Sequence, residues 1–310
     1  MLSSRIDYRQ LKKLNISGDV IKEASLSQMT TFRVGGRAKY LVQVHTLEGL
    51  TKVVLYLQNK GIKPFIIGNG SNLLVSDKGY KGVVLQLKGN LAIIERTGET
   101  TVECGSGMMI SQAYSYCRAI GLKGLECSCG IPATIGGAVY MNASAYEFEM
   151  SKIVEYVVAF HNGKIEYLTN EQCQFGYRSS LFSSGDYVII RVGLRLKSSE
   201  ISDIDDRCRN TLLRRKVSQP TEYPSAGCVF KRIEGLNVSK MLDDAGCKGL
   251  KVGGAEVSSK HANFIINTGN ATARDIYQLI NVIKSKFYEK YKVKLELEIK
   301  LLGEFDEIIR

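Results

Sequence analysis

Apolar residues recur along the chain in two rhythms, a helical one in the first third and an alternating one in the middle. In "TLEGLTKVVLYLQNKG", Leu50, Val53, Val54 and Leu57 fall on one helical face, with Thr46 placed to cap the start and Gly61 to end it. "KPFIIG" follows as a short buried strand and runs into "GNGSN", where Gly68 and Gly70 let the backbone turn with its N–H groups exposed. "TTVECGSG" predicts a strand ending in a second glycine turn, and "MMISQAYSYCRAIG" a helix closed by Gly121. From Lys152 the period becomes two: "KIVEYVVAFHNGKIEYL" predicts a hairpin turning at Asn162-Gly163, and "YVIIRVGLRLK" a further strand. The polar, acidic stretch from Ser198 to Asp206 is a candidate boundary. After it come a basic helix, a helix at "VSKMLDDAG", a strand at "HANFIIN" and a long helix from about Ala271 to Tyr291, with Thr272 and Asp275 spaced as a capping box. The final "VKLELEIKLL" alternates, which puts Leu295, Leu297, Ile299 and Leu301 on one side of a strand and Glu296, Glu298 and Lys300 on the other.

One stretch follows neither rhythm. "GLECSCGIPATIGGAVYMNASAY" is rich in Gly, Ala and Ser, carries almost no charge and has Pro132 in its middle. A loop of that length inside a domain is functional or disordered. Its lack of charge argues against disorder, so it reads as backbone packed closely against something large.

With 310 residues the chain exceeds a single hydrophobic core, because such cores stop growing at roughly 250–300 residues. Its apolar runs are too short to span a bilayer, and "MLSSRIDYRQLKKL" lacks the apolar core and cleavage site of a leader, so a cytoplasmic protein is expected. The formal charge of +11 points to anionic partners. It is not gathered in a tail: the densest run, Arg207 to Lys216, includes Leu212 and Leu213 and reads as a helix face, which weakens nucleic acid and leaves phosphorylated ligands open. Eight scattered cysteines with no CxxC pair and only three histidines make a structural zinc site improbable, and no metal is expected. The cysteines are read as thiols, and Cys127 and Cys129 of the uncharged loop as packing residues.

Glycine turns after strands commonly cradle phosphates with backbone amides, but each alone is a weak signal, and "GNGSNL" lacks the third glycine of the dinucleotide fingerprint. The ordered set says more. "TTFRVGGRAKY", "IIGNGSNLLV", "GLECSCGIPATIGGAVYMNASAY", "FGYRSSLF", "QPTEYPSAGCVFKR" and "LELEIKLLGE" together resemble the UDP-N-acetylenolpyruvoylglucosamine reductase (MurB) family of flavoenzymes, from about Ser27 to Glu304. The direct run into "FGYRSSLF" is similar to the shorter subtype without a tyrosine loop over the substrate.

The resemblance implies an α+β protein with a vanillyl-alcohol-oxidase/PCMH-type FAD-binding fold: subdomains at residues 1–85 and 86–200, then a C-terminal substrate domain at 201–304. It implies bound FAD, NADPH as hydride donor, and reduction of UDP-N-acetylglucosamine enolpyruvate to UDP-N-acetylmuramate for peptidoglycan. The partners implied are this small molecule alone, with no nucleic acid or membrane, and the protein is expected to be a monomer. Carried over by motif, Thr31, Gly35, Gly68, Asn69, Gly70, Ser71, Asn72, Gly130, Ile131, Pro132, Thr134, Gly136, Gly137, Asn142, Ala145 and Tyr146 surround FAD. Tyr177, Arg214, Lys216 and Lys231 meet the substrate.

Three residues carry the catalytic expectation. Arg178 falls on the family's active-site arginine, and its planar fork suits a carboxylate and a developing enolate. Periodicity cannot separate Glu298 from Glu296; the family pattern selects Glu298, before "IKLLG", to stabilise the enol-like intermediate or relay a proton. Cys228 stands where the best-known members have a proton-donating serine. A thiol, with an ordinary pKa of about 8.5, is still mostly protonated at neutral pH and is a far stronger acid than an aliphatic hydroxyl, so Cys228 reads as the general acid. A lost acid and an oxidation-sensitive thiol near Lys231 and Arg232 are its rival readings. Two residues before Pro220, where relatives often have lysine, this chain has Ser218, with Lys216 as a candidate replacement. The alternatives for the whole chain are a different FAD oxidoreductase of the same fold and a basic nucleic-acid-binding protein without flavin.

Overall fold

The Thr46 hydroxyl accepts a hydrogen bond from the Gly49 N–H at 3.2 Å and starts the helix Leu47–Asn59 where the pattern placed it. Leu50, Val53, Val54 and Leu57 are buried along it, in a core with Val42, Val44, Val83 and Leu85. The structure, a computed structural model, describes residues 6–306; residues 1–5, which open the stretch read as lacking a leader, lie outside the described residues. The chain forms two units, each built from separated segments: the described residues of Met1–Lys22, Tyr40–Asn69 and Gly82–Leu213, and those of Glu23–Lys39, Gly70–Lys81 and Arg214–Arg310.

In the first unit a five-stranded antiparallel sheet runs in the order Lys164–Thr169, Val154–His161, Val188–Arg195, Thr101–Gly105, Ile94–Arg96. The hairpin turns at Asn162 and Gly163, both with positive φ (47° and 80°), and His161 pairs with Lys164 across it. That is the two-residue turn whose twist matches the strands. Four further strands form a sheet in the order Gly18–Ser25, Arg37–Val44, Tyr80–Leu87, Phe65–Ile66, the last pair parallel. The uncharged loop, expected to lack regular structure, contains a 3₁₀ turn Glu126–Ser128, a helix Ile135–Tyr140 and the paired segments Ser144–Ala145 and Phe148–Glu149. Periodicity missed the helix because it is only six residues long: its buried stripe, Ile135, Ala138 and Val139, is too short to show a period, and Gly136 packs so closely that a Cβ there would lie 2.8 Å from the Ser106 Cβ. The acidic stretch forms the first turns of the continuous helix Ile201–Ser218.

The second unit centres on a three-stranded antiparallel sheet, Lys251–Val252, Ala255–Val257 and Ile265–Asn267. The helix Ala273–Tyr291 packs on it and buries Ile276, Leu279, Ile280, Ile283 and Phe287 in a core with Phe32, Leu74, Phe230 and Val257. Its capping box is as expected: Asp275 N donates to Thr272 Oγ1 at 3.0 Å, and Thr272 N to Asp275 Oδ2 at 2.9 Å. Asp77 adds a second cap, since its carboxylate accepts from Ala273 N and Arg274 N at 2.9 Å each. The closing strand is shorter than its alternation implied, spanning only Lys300–Leu302 in parallel pairing with Leu73–Val75. A bend at Glu298–Ile299 shifts the phase, so Leu301 is exposed and Leu302 is buried.

Two consequences are measurable. Removing the Asp77 carboxylate leaves two helix N–H groups without their acceptor, so Asp77→Ala should lower stability by about 1–2 kcal/mol, read as a lower urea midpoint. Burial holds the His261 imidazole below its ordinary pKa. The unfolded chain therefore takes up this proton first, and stability falls as pH drops below about 6.5. Thermal melts across this range should show that fall, and His261→Gln should flatten it; an unchanged slope would contradict the assignment.

Candidate active site

In the first unit, two glycine segments are stapled together by side chains. Asn69 Nδ2 donates to the Pro132 carbonyl at 2.7 Å. Gly68 lies against Thr134, whose Oγ1 would be 2.5 Å from a Cβ at that position, and the same Oγ1 accepts from Gly137 N at 3.2 Å as the cap of the helix Ile135–Tyr140. Gly130 and Ile131 lead into this arrangement, Gly130 at φ +81°. The result is backbone that approaches closely with few side chains in the way.

In the second unit, Thr31 N donates to the Gly70 carbonyl at 3.3 Å, while its hydroxyl is buried with no hydrogen-bond partner among the described residues. A buried hydroxyl lacking a partner is costly unless a ligand supplies one. Gly70 is at φ +59°, and a Cβ there would run into the Met29 carbonyl; Gly35, at φ +116°, lies against the Val75 side chain. Beyond Ser71, Asn72 Nδ2 donates to the Glu298 carbonyl at 3.1 Å and Lys300 N to the Asn72 carbonyl at 2.9 Å. These residues fit a phosphate-bearing cofactor: the turn is glycine-built, and an unsatisfied hydroxyl lies beside it.

Arg178 sits in the tight turn Gly176–Ser179 at φ +53°, a conformation uncommon outside glycine. Its Nη1 donates to Ser144 Oγ at 2.8 Å, both Nη1 and Nη2 reach the Ser144 carbonyl at 3.3 Å, and the guanidinium lies 5.4 Å from the Tyr177 ring centroid. Ser144 escaped the sequence reading. Asn142, named for cofactor contact, is buried at φ +42° with its amide engaged inside the protein. It donates to the Gly176 carbonyl and Glu149 Oε1 at 3.1 Å each and accepts from Ser151 N at 3.0 Å. It thereby braces the turn that carries Arg178. Tyr146, next to Ala145, also has positive φ, 55°, and is partly exposed.

Cys228 is half-buried and bridges to Phe264. The residues after it are fixed on both sides. Val229 N donates to the Asn263 carbonyl at 2.9 Å, and the buried Asn263 amide both accepts from Phe230 N and donates to the Phe230 carbonyl, each at 2.9 Å. On the opposite side Glu298 N donates to the Val229 carbonyl at 2.8 Å and Lys231 N to the Glu296 carbonyl at 2.9 Å. Cys228 and Glu298 are thus on adjoining segments. The structure also separates the two glutamates: Glu296 is exposed and pairs with Lys231 at 3.0 Å, whereas Glu298 is half-buried. Arg214 and Lys216 are exposed near the helix end, where Ser218 Oγ turns back to donate to the Arg214 carbonyl at 2.8 Å. The Lys260 ammonium, unremarked in the sequence, lies 3.5 Å from the Lys216 carbonyl and pairs with Glu222.

One expectation is corrected. Cys129 and Cys208 are joined in a disulfide, so Cys129 is neither a thiol nor only a packing residue; a partner 79 residues away left no mark in the spacing. Cys104, Cys117, Cys127, Cys173 and Cys247 are buried and free. Burial pushes the Cys117 and Cys173 thiols up to about 12, which makes them inert at neutral pH.

Comparison with known proteins identifies the family. Residues 38–168 match the family model of an FAD binding domain, and residues 219–302 that of the C-terminal domain of UDP-N-acetylenolpyruvoylglucosamine reductase. The reductase of that name from Alkaliphilus oremlandii is 37% identical over 298 residues, 96% of this chain and 98% of that one. The Clostridium botulinum (strain Hall) reductase is 40% identical over 289 residues, 93% and 94% of the two chains. The crystal structure of the Thermus caldophilus enzyme (MurB) matches with a TM-score of 0.80 at 35% identity, covering 93% of this chain and all of that one. The chain belongs to the UDP-N-acetylenolpyruvoylglucosamine reductase family.

Proposed function

We propose that this protein is an FAD-dependent reductase that uses NADPH to convert UDP-N-acetylglucosamine enolpyruvate to UDP-N-acetylmuramate. It would do so as a monomer in the bacterial cytoplasm, for peptidoglycan synthesis and hence cell shape and division. The division into FAD-binding subdomains at 1–85 and 86–200 and a substrate domain at 201–304 belongs to this reading. The observation that carries it is the 2.8 Å hydrogen bond from Glu298 N to the Val229 carbonyl, which sets the carboxylate and the Cys228 thiol on adjoining segments of a chain that matches the family along its length.

Thr31, Gly35, Gly68, Asn69, Gly70, Ser71 and Asn72, with Gly130, Ile131, Pro132, Thr134, Gly136, Gly137, Asn142, Ala145 and Tyr146, would hold the flavin. When bound, the flavin supplies the chemistry of accepting a hydride from NADPH and giving it to the enolpyruvyl carbon distal to the ether oxygen. The chain's own residues manage the charge and the proton. Arg178, held by Ser144, fixes the substrate carboxylate through its planar fork and stabilises negative charge as the enolate develops. Glu298 faces the same intermediate and keeps the proton path ordered. Cys228 delivers its S–H proton to the carbon bearing the ether oxygen, with Asn263 holding its segment rigid. Tyr177, Lys231, Arg214 and Lys216 contact the substrate, the last three through its phosphates.

The test separates the two half-reactions. Cys228→Ala should leave flavin reduction by NADPH intact and slow reoxidation by substrate at least about a hundredfold, while Cys228→Ser retains substantial turnover. Alanine turning over at the wild-type rate would remove Cys228 from the mechanism. Arg178→Ala should keep its flavin and lose about a hundredfold to a thousandfold in the same step; loss of the flavin would assign Arg178 a structural role.

A further inference from the structure

Cys129 follows the turn Glu126–Ser128 and directly precedes Gly130, so the Cys129–Cys208 bond ties the start of the loop Gly130–Thr134 to the helix Ile201–Ser218. The neighbours of both cysteines are locked together independently of that bond. Arg207 pairs through Nε with the buried Glu126 carboxylate at 3.0 Å, and through Nη2 with Glu147 at 2.8 Å. It also donates to Cys127 Sγ at 3.7 Å. Glu126 in turn accepts from Gly124 N at 2.5 Å. The two Cα atoms are 5.9 Å apart, within the usual range for a bridge. The ion pairs of Arg207 thus join the helix Ile201–Ser218 to the same turn and loop that the bond joins.

The far end of the loop is fixed by Asn69 on the Pro132 carbonyl and by the Thr134 cap. Its near end turns at Gly130, φ +81°, a residue with wide backbone freedom, and Cys129 is the covalent anchor beside it. Fixing that anchor removes disorder that a ligand would otherwise have to remove on binding.

We propose that Cys129 and Cys208 form a reversible thiol–disulfide site whose closure preorganises the loop Gly130–Thr134 and strengthens flavin binding. The idea rests on the assignment of that loop to FAD. The oxidant is a small-molecule disulfide. One cysteine thiolate attacks it, breaking its S–S bond and releasing one small thiolate. The second cysteine thiolate then displaces the other small thiolate from the mixed disulfide. Two cysteine protons are released to solvent, the pair loses two electrons, and the small disulfide gains them; excess small thiol reverses both steps.

The test equilibrates the holoprotein in mixtures of reduced and oxidised glutathione. It follows the cross-link by mass spectrometry of peptides under non-reducing conditions and the FAD dissociation constant by flavin fluorescence. The expected result is a cross-link that forms and disappears reversibly, with FAD held about tenfold more tightly in the closed form. Cys129→Ser and Cys208→Ser should show the weaker affinity throughout and no response. No cross-link at the oxidising end, a Cys208 cross-link that survives Cys129→Ser, or equal affinity in both forms would overturn the proposal. Flavin retained with redox-independent affinity contradicts this proposal alone, whereas protein that closes the bond but never binds flavin contradicts the FAD assignment as well.

Discussion

The segment Cys228–Lys231 belongs to no extended sheet, yet its backbone is largely buried, and buried N–H and C=O groups must find partners. Asn263 meets that demand on one side with its own backbone carbonyl and both ends of its side-chain amide, and Glu296 and Glu298 meet it on the other. The consequence is chemical as well as structural. These hydrogen bonds put the cysteine and the half-buried glutamate on adjoining segments, with Asn72 of the glycine turn donating to the Glu298 carbonyl.

The first unit solves a different problem, which is how to bring bare backbone close to a large ligand. It uses glycines where a Cβ would clash, as at Gly68 and Gly136, and it accepts positive φ at residues with side chains, Asn142, Tyr146 and Arg178 among them. Such conformations cost of order 1–3 kcal/mol each and persist where the surroundings over-determine them. Here the surroundings are identifiable: Asn142 bonds the Gly176 carbonyl, and Ser144 takes the Arg178 guanidinium.

Features fixed by neighbours in the sequence could be read from it. The Asn162-Gly163 hairpin, the Thr46 and Thr272 caps and the stripe Leu50, Val53, Val54, Leu57 all depend on residues within a few positions of one another. What depends on distant partners could not. The helix Ile135–Tyr140 is hidden because six residues are too few to show a period, and the closing alternation fails at Glu298–Ile299, where hydrogen bonds to Val229 and Asn72 hold the chain. Likewise the interleaving of 23–39 and 70–81 with the residues after 214, and the Cys129–Cys208 bond, are facts of packing. The candidate site residues came from the order of the motifs; the residues bonded beside them, Ser144 and Asn263, had no such signal, since a small polar residue reads alike in a loop and in a clamp.

The most direct measurement of the central claim is an anaerobic visible spectrum of the purified protein, taken before and after NADPH and again after UDP-N-acetylglucosamine enolpyruvate. The account predicts a flavin band that bleaches with NADPH and returns with the enolpyruvyl sugar nucleotide. A band that bleaches and does not return, or protein that carries no flavin at all, would contradict it.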